Sequence, residues 1–214
     1  MKSIYIVMSQ TGTILSKAIK GVTGDEYNHV SISFRKDLEP MYSFGRKYEN
    51  IPWKGTLVEE HIHSGTFKKF SETMCKVIEI PVDDAIYNAA KEFVEYMISR
   101  QKEDGFEYKY NILGLIYALF GKKRQSNTHY YCSEFVREVL FVAGLDCSDI
   151  SDCVPKPVDF NELLKKIEGA KVIYEGLLRE YPYKFEPKEM EKLCETTGNI
   201  RGGRILSKVL AFRK

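Results

Sequence analysis

The order of the hydrophobic patterns along the chain constrains its fold more than any other feature. Five of six short apolar or alternating runs, which are typical of strands, lie in the first 80 residues, whereas runs with helical spacing dominate the remainder. The strand-like runs are residues 3–8 (SIYIVM), 29–34 (HVSISF), 41–44 (MYSF), 57–63, 74–80 and, near the end, 171–176 (KVIYEG). Strands grouped before helices, with a turn at RKDLEP and another break at Pro81, predict an α+β fold.

Helices are predicted mainly in the second half of the chain. A long one should run from Asp83 or Asp84 to about Arg100, because Ile86, Ala90, Phe93 and Met97 form one apolar stripe. Another should begin between Thr128 and Tyr130 and end at Ala143, with Gly144 as a left-handed cap. Shorter helices are expected at 11–24, at 112–120 and from Pro157, and the stretch from Arg46 to Gly55 is predicted to be a loop.

Length and composition narrow the protein class. The 214 residues predict one domain, with a core at about 3–180 and a C-terminal extension at about 181–214. A net charge of +2, from 32 basic and 30 acidic residues, selects no nucleic-acid partner. The longest apolar run, Ile112 to Phe120, is far shorter than the roughly 20 residues of a membrane span. Without a secretory pattern, and with five irregularly spaced cysteines, the chain is predicted to be cytoplasmic, with free thiols and without metal or cofactor.

Cys132 is the cysteine whose position predicts chemistry. On a helix it shares one face with Phe135, Val136 and Val139, and it falls in the first turn. The N–H groups of a first turn lack helix partners and carry partial positive charge, so they stabilise a thiolate and lower the pKa of the thiol. The alternative is that Cys132 is a small core residue, since free cysteines are among the most buried residues.

A nucleophilic cysteine needs a base, and the chain offers four histidines. In HVSISF, His29, Ser31 and Ser33 point away from the apolar face, so His29 has room to meet a reactive group. His61 and His63 share a face if their segment is extended, which would suit a metal, but no third ligand follows from the spacing, which favours an exposed polar face. His129 either helps to cap the cysteine helix or is an exposed loop residue.

Two short motifs carry a family resemblance. Residues 131–136 (YCSEFV) resemble the nucleophile helix of the NlpC/P60 superfamily of papain-like cysteine enzymes, and residues 28–32 (NHVSI) resemble its histidine strand. In ordinary members the cysteine precedes the histidine. Here the order is reversed, which is similar to the circularly permuted branch that includes YiiX-like bacterial proteins and relatives of lecithin:retinol acyltransferase. Residues 42–47 (YSFGRK) also look like bacterial members of that branch.

The resemblance implies a fold and a set of roles. The fold would be papain-like with permuted topology, in which a small antiparallel sheet or barrel packs against helices that include the cysteine helix. Cys132 would be the nucleophile and His29 the base. A third polar residue would orient the imidazole, and Ser43 is the candidate, with Glu60, or less readily Glu59, as the alternative. The candidate substrate-binding residues are Tyr42, Tyr110 and Tyr131.

The implied function is a cysteine hydrolase, of the peptidase or amidase kind, or a thiol acyltransferase that acts on an amide or ester bond. The substrate would be a small molecule, a peptide or a lipid-like compound, because the permuted branch includes enzymes that act on lipid acyl groups. The alternative is a protein on the same fold that binds a lipid or an amino-acid-like ligand without turnover. A serine at position 43, in place of a stronger orienting group, is the feature that favours this alternative.

Overall fold

A six-stranded antiparallel sheet forms the centre of the structure, a computed structural model that describes residues 1–11, 25–48, 51–103, 106–110, 128–151 and 155–182. In chain order its strands are β1 (Lys2–Gln10), β2 (His29–Ser33), β3 (Met41–Tyr48), β4 (Ile51–Glu60), β5 (Met74–Val82) and β8 (Lys171–Leu177). Across the sheet the order is β4-β3-β2-β1-β5-β8. Two short strands, β6 (Lys109–Tyr110) and β7 (His129–Tyr130), form a separate parallel pair. The fold class is therefore α+β, as predicted.

Four α-helices accompany the sheet in the described part of the chain: α1 (Gly65–Lys69), α2 (Asp84–Gln101), α3 (Cys132–Val142) and α4 (Leu163–Lys166). Short 3-10 helices occupy Pro157–Glu162 and Leu178–Glu180. The side chain of Asp83 caps α2 by accepting the Ile86 N–H at 2.8 Å. Gly144 ends α3 at a φ of 89°, so the predicted left-handed cap is confirmed. None of the helices in these described ranges is long and apolar enough to cross a bilayer.

The two faces of the sheet bury different clusters. On one face, Ile4, Ile6 and Met8 of β1 join Val136 and Leu140 of α3 in the larger core. On the other face, the smaller cluster consists of Tyr5, Val7, Leu38, Met41, Ile62, Phe67, Cys75, Val77 and Leu178. Each large aliphatic side chain that is fully buried contributes about 1.5–3 kcal/mol relative to an exposed one. Burial on both faces therefore fixes which residues of each strand point toward α3.

Strand register brings polar residues together on the face of the smaller cluster. Ser9 of β1 pairs with His29, and Val7 pairs with Ser31, so both β2 residues share the face of Val7. Ile32 pairs with Tyr42, which sets Ser31 opposite Ser43 of β3. Further along the sheet, Met41 pairs with Glu60, the last residue of β4. By the two-residue period of strands, His29, Ser31, Ser43 and Glu60 all lie on one face.

Several boundaries differ from the prediction. The stretch from Arg46 to Gly55 is not a loop: β3 continues to Tyr48 and β4 begins at Ile51, forming a hairpin. Pro52 weakens the strand pattern, yet a proline is tolerated in β4 because that strand stands at the end of the sheet order. The strand predicted at 57–63 ends at Glu60.

Three further boundaries were wrong. Helix α3 begins at Cys132 and not at Thr128 or Tyr130, because His129 and Tyr130 form the short strand β7. Strand β5 continues past Pro81 to Val82. A proline is tolerated there because β8 pairs with β5 only as far as Glu79, so the missing N–H interrupts no hydrogen bond to β8. The segment from Pro157 starts as a 3-10 helix and becomes α-helical only at Leu163. The helices predicted at 11–24 and 112–120, and the C-terminal extension from residue 183 onward, fall outside the described residues. Met1–Tyr181 form one unit of the chain.

Candidate active site

Cys132 is the first residue of α3, and its side chain is 5% exposed. Tyr131 precedes it as the N-cap in an extended conformation, and the Tyr131 N–H donates to the Glu134 carboxylate at 3.0 Å. The first helical hydrogen bond runs from the Phe135 N–H to the Tyr131 carbonyl at 3.2 Å. The N–H groups of Cys132 and the residue after it therefore have no acceptor within the helix, which leaves partial positive charge beside the sulfur.

Three groups stabilise the thiolate form of Cys132. Burial alone would raise the pKa of the thiol, but the His29 imidazole lowers it both by a side-chain hydrogen bond and by its positive charge. The Val30 backbone N–H also lowers the pKa of the thiol, and the Ser133 hydroxyl lies 3.9 Å from the sulfur. The net result is a pKa below the ordinary value of a cysteine. A thiol with a lowered pKa is more often in the thiolate form, which is the form that reacts as a nucleophile.

Glu60 holds the opposite side of the His29 ring. Its two carboxylate oxygens lie 3.0 and 3.2 Å from Nε2 of His29. Burial disfavours an imidazolium, but the charge of Glu60 and the hydrogen bonds to Glu60 and Cys132 raise the pKa of His29 well above its usual value. Burial likewise disfavours the carboxylate, but the charge of His29 and hydrogen bonds hold the pKa of Glu60 below its usual value. The pair is therefore stable in its charged form.

Ser31 joins the two partners, a role that the sequence reasoning missed. Its hydroxyl donates to Glu60 Oε2 at 2.6 Å and lies 3.3 Å from His29 Nε2. The serine is fully buried on the strand face that the alternating pattern had assigned to His29. That shared face was the signal available in the sequence, but only the position of the carboxylate shows which group the hydroxyl contacts.

Ser43 does not take the position predicted for the third residue. The far nitrogen of His29 is held by Glu60, the alternative, and the Ser43 hydroxyl has no partner with hydrogen-bond geometry among the described residues. Ser43 is fully buried and lies close enough to Glu60 to help lower the pKa of that carboxyl. Its effect on the imidazole is therefore indirect.

A glycine in β3 makes space for the Glu60 carboxylate. A Cβ atom at Gly45 would lie 3.0 Å from Glu60 Oε1, 3.0 Å from a methyl carbon of Val58 and 3.2 Å from the Ser43 hydroxyl. Such distances are shorter than normal van der Waals contact, so a side chain at position 45 would displace the carboxylate. Gly45 lies within the YSFGRK motif, but the motif alone did not indicate this close approach.

The three candidate substrate-binding tyrosines have different surroundings. Tyr110 in β6 packs on Gly55, and the charge of Cys132 contributes, after burial, to raising the pKa of the phenol. Tyr131 is buried and adjoins Cys132 in the chain. Tyr42 instead packs against Phe34 at a ring distance of 6.2 Å, on the face of the larger core. The structure thus brings Tyr110 and Tyr131 to the cysteine, and it places Tyr42 in the core.

Two of the three remaining histidines, His61 and His129, have other partners, and His63 is exposed. His61 Nδ1 contacts one oxygen of Glu39, and the other oxygen of Glu39 accepts the Ile62 N–H at 2.8 Å. His129 contacts the Thr128 hydroxyl at 3.0 Å. Within the described ranges, no three or more side chains of His, Cys, Asp or Glu are grouped so that they could hold a metal ion. The pairing of His61 with Glu39 links the end of β4 to the turn before β3.

Comparison with models of known protein families finds no match, and comparison with curated proteins finds none either. The resemblance to the NlpC/P60 superfamily therefore rests on the motifs around His29 and Cys132.

Proposed function

We propose that the protein is a cysteine hydrolase or acyltransferase that acts on an amide or ester bond. The observation that supports this is the chain of contacts from the Cys132 thiol to His29 and from His29 to Glu60. A nucleophile, a base in contact with it and an acid that orients the base are the three parts of a triad. In this site the orienting group is a carboxylate, which stabilises an imidazolium better than a hydroxyl does.

The geometry suits acyl transfer in two half-reactions, of which the first acylates Cys132. Because Glu60 and Ser31 occupy Nε2, Nδ1 of His29 is the nitrogen left to take the thiol proton. The thiolate of Cys132 attacks the substrate carbonyl carbon, and the N–H groups at the start of α3 stabilise the oxyanion. Collapse of this intermediate breaks the amide or ester bond, and the imidazolium gives its proton to the leaving amine or alcohol.

The second half returns the enzyme to its starting state. The carbonyl carbon is now bonded to sulfur as a thioester, and water or an acceptor alcohol or amine attacks it while His29 takes the proton of the attacking group. The bond from carbon to sulfur breaks, and the proton returns to the thiolate. Water yields hydrolysis, and another acceptor yields acyl transfer.

The same observations support a papain-like fold of permuted topology. The cysteine helix α3 packs against an antiparallel sheet, and Val30 and Ile32 of the histidine strand lie in the same core as α3. The histidine precedes the cysteine in the chain, which is the order of the permuted branch. The alternative of ligand binding without turnover was favoured by a weak orienting serine, and the contact between Glu60 and His29 takes away that support.

The test is acylation of the purified protein by a p-nitrophenyl ester, followed by mass spectrometry and by release of p-nitrophenol. We expect a burst of product and an acyl group on Cys132, both absent in Cys132→Ala and strongly reduced in His29→Gln. The matched control is Cys147→Ala, which removes another buried thiol and should leave the burst intact. Equal acylation of wild type and Cys132→Ala, or none in either, would refute the enzyme and favour the ligand-binding protein.

A further inference from the structure

Arg46 is a half-buried cation close to the candidate active site. It follows Phe44 on the same side of β3, the side that packs toward α3, and it pairs with Gly55 of β4. No hydrogen bond or ion pair joins its guanidinium to any residue in the described ranges. The next residue, Lys47, is exposed and forms an ion pair with Glu107. Of these two cations, the half-buried one is thus the one without an anion in the part of the chain that the structure describes.

Partial burial of an unpaired guanidinium is unfavourable, and the pKa of Arg46 is lowered by that burial. A guanidinium presents a planar fork of donors that matches the two oxygens of a carboxylate or phosphate. A partly desolvated fork that has no acceptor among the described residues is therefore available to an anionic ligand, and binding such a ligand would compensate its lost hydration.

Tyr110 lies close to both Arg46 and Cys132. The Tyr110 Cβ is 2.7 Å from where a Cβ of Gly55 would lie, so the tyrosine sits over the residue that pairs with Arg46. The charges of both Cys132 and Arg46 act on its phenol. Tyr110 also pairs with Tyr130, two residues before the cysteine. Arg46 and the nucleophile therefore lie close to the same phenol.

The carboxylate of Glu134 is held at the start of α3. Glu134 also acts on the Tyr110 phenol, but it accepts the Tyr131 N–H at 3.0 Å at the start of α3. The Tyr110 hydroxyl has no hydrogen-bond partner among the described residues. Two donors, one charged and one neutral, are thus available together beside Cys132.

We propose that Arg46, assisted by the Tyr110 hydroxyl, binds an anionic group of the substrate, a carboxylate or a phosphate, at a subsite next to Cys132. The inference rests on the proposed function and names its substrate class: an amide or ester whose reacting carbonyl is a few bonds from an oxyanion. An entirely neutral acyl ester would bind without using this subsite.

The test compares three p-nitrophenyl esters of matched chain length: the neutral hexanoate, the adipate monoester and the ester of 5-phosphonopentanoic acid. We expect the full-length wild type to prefer one of the two anionic esters, and the preferred one identifies the anion. Because a charge-assisted hydrogen bond is lost, Arg46→Gln should raise KM for that ester about 10–100-fold and leave the hexanoate within about twofold. Arg46→Lys keeps the charge but not the fork, and should be intermediate.

Lys47→Gln is the matched control, because it removes the same charge from the neighbouring, exposed position. An equal rise of KM in Lys47→Gln, or an equal loss on the hexanoate in Arg46→Gln, would overturn the subsite. If none of the three esters shows turnover that depends on Cys132, that result would instead count against the proposed function. In that case calorimetric titration with adipate and with phenyl phosphate decides the subsite: binding that Arg46→Gln abolishes upholds it, and unchanged or absent binding overturns it.

Discussion

Replacing Gly45 with alanine tests how tightly the Glu60 carboxylate is held. The new methyl group would lie 3.0 Å from the Glu60 Oε1 atom, the same atom that is 3.0 Å from His29 Nε2. Relief of the overlap requires a shift of a few tenths of an ångström. Because the methyl group approaches the very oxygen that contacts the imidazole, the shift lengthens or misaligns that hydrogen bond.

Gly45→Ala should have a large effect on kcat/KM and a small effect on the free energy of unfolding. Overpacking a buried site lowers the free energy of unfolding by about 1–3 kcal/mol. Replacing a strand glycine by alanine raises it by about 0.5–1 kcal/mol. The net loss of about 0–2.5 kcal/mol corresponds to a Tm lower by at most about 10 °C for a chain of this length. A displaced orienting group, in contrast, should lower kcat/KM about 10–100-fold, since misplacement by about 1 Å costs about 100-fold.

The assay is ester hydrolysis at neutral pH, with thermal unfolding measured on the same samples. Gly144→Ala is the control: its φ of 89° disfavours alanine, but nothing lies within 4 Å of the new Cβ. That variant should lose about 1–2 kcal/mol of stability and keep its kcat/KM. If Gly45→Ala also keeps its kcat/KM within about threefold, the argument that the carboxylate must stay against Gly45 to orient His29 is refuted.

Three further predictions concern charge and thiol reactivity. Glu60→Gln removes the charge that raises the pKa of His29, so iodoacetamide labelling of Cys132 should move to higher pH; an unchanged pH profile contradicts the ion-pair assignment. The pKa of Glu60 is depressed in the folded state, so its stabilising effect is present above the unfolded pKa of about 4.3 and is lost as the pH falls through the folded pKa. In urea unfolding, the advantage of wild type over Glu60→Gln should therefore shrink below about pH 4; an advantage constant from pH 3 to 7 rules this out. Burial raises the pKa of Cys75 to about 12 and that of Cys147 to about 11, so mass spectrometry after brief labelling should find Cys132 modified first; faster modification of Cys147 would return Cys132 to a packing role.

Local patterns in the sequence were enough to place Cys132 and His29. The first-turn position of Cys132 and the strand face of His29 depend on spacings of a few residues, and both agree with the structure, although the helix begins later than predicted. Helix α2 could be predicted equally well from the sequence, because its cap and apolar stripe lie within one continuous segment.

The third member of the site depended on information that local patterns lack. Glu60 reaches His29 only because β3 and β4 form a hairpin, and the polar residues around Pro52 had predicted a loop in that place. The register of β2 and β3 sets Ser43 diagonally across from His29, but that register alone does not bring its hydroxyl to the ring. Which side chain reaches the ring depends on the longer glutamate and on the space above Gly45, and both are properties of packing.

The position of Glu60 at the end of β4 has a consequence for how activity responds to heat and denaturant. β4 is the last strand in the sheet order, whereas the histidine strand β2 is an interior strand and α3 is packed in the larger core. End strands open by local fluctuation more readily than interior ones, so their amide protons exchange faster. The orienting carboxylate can therefore detach while Cys132 and His29 remain in place. Catalysis should decline at mild denaturant concentrations at which most of the backbone is still protected from exchange.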